Sequence, residues 1–236
     1  MGKVMTNKID TVIFDLDGTL VDSQPAALGA TIQALSHYGV RATAEDLRQV
    51  FGGGARKLVG YFMERDFGDG LTDEVLEEAI KLRSRLQLGL IGEVVLLDGV
   101  KALLGWLKGR GYKLAVATMS SRVVVDSVLD HHGIKSYFDA TFSVDDVSRI
   151  KPDPEILVKT VQKLGSQVDQ AIYVGDSSHD LEAAVGLSMS FILVDSGLYV
   201  RGGSRNKLRA SARENGFPIV GIDDFMKIGE IATACS

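Results

Sequence analysis

Cysteine is almost missing: Cys235, beside the C-terminus, is the one thiol among 236 residues. That excludes an internal disulfide framework and a cysteine-based zinc site, and it fits a reducing cytoplasm. A basic excess is missing too. The formal net charge is -5, so no electrostatic footprint points to nucleic acid. No apolar run approaches the ~20 residues of a membrane-spanning helix. The opening residues, Met1 to Lys8, lack the apolar segment of a signal peptide, and Gly2 sits in no convincing myristoylation signal. Neither a membrane nor a nucleic acid is therefore expected as a partner, and a cytoplasmic location is. Internal repeats and low-complexity tracts are absent as well. What remains is ordinary globular composition, 45% hydrophobic and 24% charged, long enough for one large domain or for a core with an insert.

The stretch around which the chain is organised is Thr11-Val12-Ile13-Phe14-Asp15-Leu16-Asp17-Gly18-Thr19-Leu20. Its β-branched and aromatic start reads as a buried strand, and its Asp-Gly end as a turn. Side chains alternate along a strand, so Asp15 and Asp17 are expected on one side, at the carboxyl end. In open α/β sheets that end is where ligands bind. Two carboxylates so close repel each other unless a cation or a proton intervenes.

Helical spacing follows at 26–38, where Leu28, Ile32 and Leu35 recur before Gly39. Thr43 can cap a short helix over 44–50. A third helix is expected over 55–67 after Gly52, Gly53 and Gly54, and a fourth from Thr72 to about residue 88. From residue 98 strands and helices alternate. Strands are expected at 113–118, 140–142, 171–175 and 190–194, with an edge strand at 218–220. Helices are expected at 100–108, 121–132, 154–164 (Asp153 as N-cap, Pro154 in first place), 178–186, and from 223 onward. Alternation of this kind argues for a Rossmann-like parallel sheet flanked by helices, an α/β fold. The all-helical block at 22–90 is then an inserted cap domain, and 1–21 with 91–236 form the core domain. The basic, Gly-rich stretch at 201–207 reads as a solvated loop.

Four strand ends deliver polar groups that could converge: Asp15 with Asp17; Thr118 followed by Met119 and Ser120; Lys151, in a loop stiffened by Pro152 and Pro154; and Asp176 with Asp180. If a helix starts near Ser177, the last two carboxylates share a face. Such a set suits phosphoryl transfer. A hard cation such as Mg²⁺ prefers carboxylate oxygen and keeps positions open for water and substrate phosphate. Lysine, hydroxyls and helix N-termini stabilise the transferring group. One carboxylate can be a nucleophile and a second can carry the proton.

The ordered set Asp15-x-Asp17-Gly18-Thr19, Thr118, Lys151-Pro152 and Gly175-Asp176-x-x-x-Asp180 resembles the motifs of the haloacid dehalogenase-like hydrolase superfamily, across the whole chain. The resemblance implies Asp15 as nucleophile, Asp17 as general acid/base, and Thr118 and Lys151 as ligands of the phosphoryl group. It implies Mg²⁺ held by Asp15, the Asp17 main-chain carbonyl and Asp176, with Asp180 supporting that site. An aspartate at position 17 favours phosphate esters over carbon–halogen bonds within the superfamily. The loop from Phe51 to Arg56 looks like the glycine-flanked cap loop of phosphoglycolate phosphatases, with Gly53 where asparagine is frequent. Ser188 stands where a glycine commonly follows the helix, and a local change in that turn is expected.

The expected function is thus a Mg²⁺-dependent phosphatase for a small phosphate monoester, phosphoglycolate-like, acting through an aspartyl phosphate. The alternatives are a phosphosugar mutase of the β-phosphoglucomutase type and a non-enzymatic sensor of phosphorylated metabolites. Gly53 and Arg56, with Lys57 behind them, are candidates for the leaving group, and Met119 and Ser120 for the phosphate. Asp22 and Ser23 begin the link to the cap and could hinge it. His179, His131 and His132 are read as structural, and Trp106 with Leu103, Leu104 and Leu107 as core. The protein is expected to be a monomer or homodimer.

Overall fold

The computed structural model describes residues 8–50 and 54–234. Strand β1 (Thr11–Phe14) is fully buried and lies at the centre of a six-stranded parallel sheet. On one side it pairs with β4 (Lys113–Ala117), which pairs with β5 (Ala140–Phe142). On the other side follow β6 (Ala171–Gly175), β7 (Ser190–Asp195) and β8 (Ile219–Gly221), the last an edge strand. The period of two decides which side chain goes where. Val12, Phe14, Leu114, Val116, Ile172 and Val174 fill one face. Helices α5 (Val100–Gly109), α6 (Arg122–His131) and α10 (Met226–Ala234) cover that face through Leu103, Leu104, Leu107, Val124, Val128 and Ile228. The residues between them, Ile13, Ala115, Ala117 and Tyr173, fill the other face. There α7 (Glu155–Leu164), α8 (Ser178–Gly186) and α9 (Gly202–Glu214) pack through Ile156, Leu157, Leu181, Ala184, Leu208 and Ala212. Central strands buried on both faces explain the unbroken apolar runs of the sequence.

The helical block consists of α1 (Gln24–His37), α2 (Ala44–Gln49), α3 (Gly54–Phe67) and α4 (Asp73–Gly89). It has a small core of its own, built on Leu28, Leu35, Leu47, Leu58, Phe62, Met63 and Leu76. Thr43 caps α2 in a reciprocal capping box with Asp46, and the Thr72 hydroxyl accepts from Val75 N at the start of α4. Where the chain leaves the sheet and returns to it, β2 (Val21–Asp22) and β3 (Val95–Leu96) pair antiparallel. Two-residue strands carry too little pattern to be read from sequence.

Three expectations need correction. The basic stretch at 201–207 is not a loop; it opens α9, because Leu208 and Ala212 recur at helical spacing and pack under the sheet. Helix α7 begins at Glu155, with Pro154 in the capping position, although the Asp153 carboxylate still accepts from Glu155 N at 2.9 Å. The last helix begins at Met226 rather than 223, since residues 221–224 form a turn closed by Asp224 N donating to Gly221 O.

Candidate active site

Strand register sets the site. Phe14 lies level with Val116 on one side and Val174 on the other. Asp15, Thr118 and Asp176 therefore leave three adjacent strands within one residue step of each other, at one edge. A parallel sheet puts all its carboxyl ends there, which is why residues so distant in sequence meet. Lys151 arrives on the loop before α7. Its Nζ donates to Asp15 Oδ1 at 2.8 Å, Asp180 Oδ1 at 2.7 Å and the Tyr173 hydroxyl at 2.9 Å. Only 3% of Lys151 is exposed, so this is a buried ion pair and hydrogen-bond network. Burial works against the ammonium, but Asp15 and Asp180 outweigh it and hold its pKa above the ordinary range.

The three carboxylates differ in what surrounds them. Asp180 is saturated: Oδ1 takes Lys151 and Tyr173, and Oδ2 takes the Ser177 amide at 3.0 Å and hydroxyl at 2.6 Å. Burial opposes its charge, yet Lys151 and these donors keep its pKa below the usual carboxylate range. Asp176 has the Ser196 hydroxyl at 3.3 Å as its hydrogen-bond donor, and burial with the neighbouring carboxylates pushes it well above that range. Burial also raises Asp15, to about 7, against the pull of Lys151. Ligand oxygens of Asp15, Asp176 and Asp180 lie within 4.8 Å of one another. Two buried carboxyls held up in this way, beside one cation already shared, fit a hard divalent metal at Asp15 and Asp176. Gly18 makes room for this arrangement: at its φ of 80° a Cβ would collide with the Asp176 carboxylate and the Tyr199 ring.

Asp17 faces the same cavity from the turn after β1. Its Oδ2 accepts from Ser120 Oγ at 2.6 Å, and its Oδ1 accepts from Ser23 Oγ. The Ser23 hydroxyl is in turn 2.7 Å from the Tyr199 hydroxyl. Thr118 is buried, and its Oγ1 accepts from the Ser120 amide at 3.2 Å, tightening the loop ahead of α6. The cavity, about 470 Å³, is lined from the sheet by Asp15, Asp17, Thr118, Met119, Ser120, Lys151 and Asp176 and from the helical block by Arg56, Arg83 and Gln87.

Residues 12–194 match the model of the haloacid dehalogenase-like hydrolases. The chain belongs to that family. It is 33% identical to Probable phosphatase IndB of Dickeya dadantii, over 92% of this chain and 90% of that one. It is 31% identical to phosphoglycolate phosphatase of Pseudomonas savastanoi pv. phaseolicola, over 92% of this chain and 77% of that one. The crystal structure of CbbY from Rhodobacter sphaeroides in complex with phosphate shares its fold, with a TM-score of 0.74 at 24% identity, over 83% of this chain and 90% of that one. The relatives being phosphatases and the family one of hydrolases, this chain is a phosphatase.

Most residues singled out in the hydrolase sequence meet at one place. Asp15, Asp17, Thr118, Met119, Ser120, Lys151 and Asp176 all line the cavity, and Asp180 stands directly behind Lys151. Asp176 and Asp180 do not share a helix face: Ser177 caps α8, Asp176 precedes the cap, and Asp180 closes the capping box. Gly53 lies outside the described residues, as do Phe51 and Gly52. Arg56 reaches the cavity wall, but its guanidinium is paired with Glu77 and Asp73 of α4. Sequence reasoning passed over Tyr173, Tyr199 and Arg83. Tyr173 hides in an apolar strand run, where the one clue is a phenol that needs a buried partner. Arg83 had a legible signal. It continues the inward stripe of α4 at Leu76, Ile80 and Gln87, where a charge is out of place.

Proposed function

We propose that the protein is a Mg²⁺-dependent phosphatase for a small phosphate monoester, phosphoglycolate being the leading candidate, working through an aspartyl phosphate on Asp15. The observation that carries this reading is the pairing of Asp15, clamped by Lys151, with an Asp17 held separately by two serine hydroxyls. One carboxylate is fixed for attack, and its neighbour is fixed where a proton must pass. In the first step Asp15 attacks phosphorus, the ester P–O bond breaks, and Asp17 gives its proton to the departing alkoxide oxygen. In the second, water loses a proton to Asp17 and attacks phosphorus, so that Asp15 is regenerated and phosphate leaves. Lys151, the Thr118 hydroxyl and the Met119 amide bind the phosphoryl oxygens, while the Ser120 hydroxyl, given to Asp17, holds the proton carrier. Asp15, Asp176 and the Asp17 carbonyl would hold Mg²⁺, which supplies charge stabilisation at the phosphoryl group when bound. Asp180, its oxygens already taken, serves Lys151 rather than the metal.

The helical block at 22–90 acts in this reading as a cap domain that walls off bulk water from the core domain, 1–21 with 91–236. Free phosphate released from a panel of monoesters, with Mg²⁺ and with a chelator, tests the activity. Asp15→Asn is expected to abolish it. Given an aryl phosphate, whose leaving group departs without a proton, Asp17→Asn is expected to leave a phosphorylated Asp15 peptide detectable by mass spectrometry. Full turnover by Asp15→Asn would overturn the reading, and isomer formation without free phosphate would replace it by a mutase.

A further inference from the structure

Among the described residues three cations line the cavity, and two of them are spoken for. Lys151 binds Asp15 and Asp180, and Arg56 binds Glu77 and Asp73. Arg83 is different. Its Nε donates to Thr31 Oγ1 at 3.0 Å and its Nη1 to Gln87 Oε1 at 2.9 Å, both neutral acceptors. Among the described residues no carboxylate lies within ion-pair distance of it, and Nη2 has no hydrogen-bond partner. The side chain is partly buried on the wall where α4 faces Asp17, Ser120 and Tyr199. Burial disfavours its charge, with Asp17 and Tyr199 acting in the opposite sense. A guanidinium nonetheless stays protonated in proteins. Thr31 and Gln87 are themselves buried, so the fork is held in place rather than left to wander.

A positive charge withdrawn from water without a counter-ion is unfavourable. A rigid planar fork with a spare donor is also the form of cation best suited to a carboxylate or a phosphate. The phosphoryl-binding groups lie on the sheet side of the cavity and Arg83 on the helical side, so a ligand anchored at Asp15 has its far end toward α4.

We propose that Arg83 is the specificity residue that receives an anionic group on the leaving half of the substrate, a carboxylate or a second phosphate, and that Arg56 is a helix-to-helix tie. The proposal rests on the phosphatase reading above. It also separates esters by charge: a short anionic alcohol or acid can bridge Asp15 and Arg83, and an uncharged alkyl phosphate cannot.

The test is steady-state phosphate release from 2-phosphoglycolate, inorganic pyrophosphate and ethyl phosphate by the wild type, Arg83→Met and Gln87→Glu. The second variant keeps the arginine but gives it a carboxylate partner, so it remains informative if removing Arg83 harms folding. A charged hydrogen bond is typically worth a factor of about 10 to 100 in binding. The wild type is expected to prefer a charged substrate over ethyl phosphate. Each variant is expected to lose about 30-fold in kcat/KM on that substrate, chiefly through KM, while ethyl phosphate turnover stays within about threefold. Whichever of phosphoglycolate and pyrophosphate loses more identifies the anion as carboxylate or phosphate. Equal losses on ethyl phosphate would mean a structural arginine and overturn the proposal, as would a wild type indifferent to substrate charge. Absence of phosphate release from any ester by the wild type would overturn the phosphatase reading and this proposal together.

Discussion

Asp17 is positioned by two hydroxyls from opposite directions: Ser120 from the loop after β4 and Ser23 from the start of the helical block. If Asp17 carries the proton, its reach toward the leaving oxygen depends on both. Removing the Ser120 hydroxyl leaves one carboxylate oxygen without its donor, at a cost of about 1.5–3 kcal/mol for a charged hydrogen bond. Ser120→Ala is therefore expected to lower kcat by about tenfold or more with little change in KM, measured as initial rates on a phosphomonoester. A second single-residue prediction comes from Ser188. Its φ of 54° is left-handed, the one such non-glycine position among the described residues. There it ends α8 with its amide donating to Val185 O at 3.0 Å. A side chain is strained in that conformation, and glycine is not. Ser188→Gly is expected to stabilise the protein by about 0.5–1 kcal/mol in urea denaturation, with activity unchanged.

At the scale of elements, the loop carrying Lys151 is stapled to the helix behind it. Glu155 accepts from Lys159 and from the amides of Ser148 and Arg149, which together hold its pKa down at about 2 against an ordinary 4.5. A depressed folded value means the stabilisation is fully present above about 4.5 and disappears as pH falls through about 2. Glu155→Gln should therefore be less stable than the wild type at neutral pH, and the gap should close as pH is lowered across that window. Denaturant midpoints measured at pH steps would check this; a gap independent of pH would show that folding does not hold the Glu155 carboxyl below its ordinary range. The elements themselves were largely legible in the sequence, because strands buried on both faces and amphipathic helices leave strong patterns. What was not legible has a physical reason in each case. Val21–Asp22 and Val95–Leu96 are too short to have a period. Residues 201–207 carry glycines and charges on the exposed first turns of α9, whose inward residues come later.

For the molecule as a whole, the sheet side of the cavity could be read from the chain residue by residue, and on the helical side only candidates could be named. Asp15, Asp17, Thr118 and Asp176 announce themselves by standing at or just past strand ends, and a parallel sheet leaves little choice about where strand ends go; Lys151, well past the end of β5, is marked instead by the prolines that follow it. Arg56 and Arg83 both sit on helices, and which of them meets a ligand depends on which has already been neutralised. That is a property of tertiary packing: Glu77 and Asp73 lie on another helix from Arg56, and Thr31 on another from Arg83.

The antiparallel pairing of Asp22 with Val95 has a topological consequence. A visitor walking the backbone leaves the sheet and comes back to it through the same doorway. Everything between is a closed detour whose two ends are neighbours, so its length, its helices and its lining can change without moving a single strand of the sheet. The floor of the cavity is fixed by the fold; its ceiling is interchangeable.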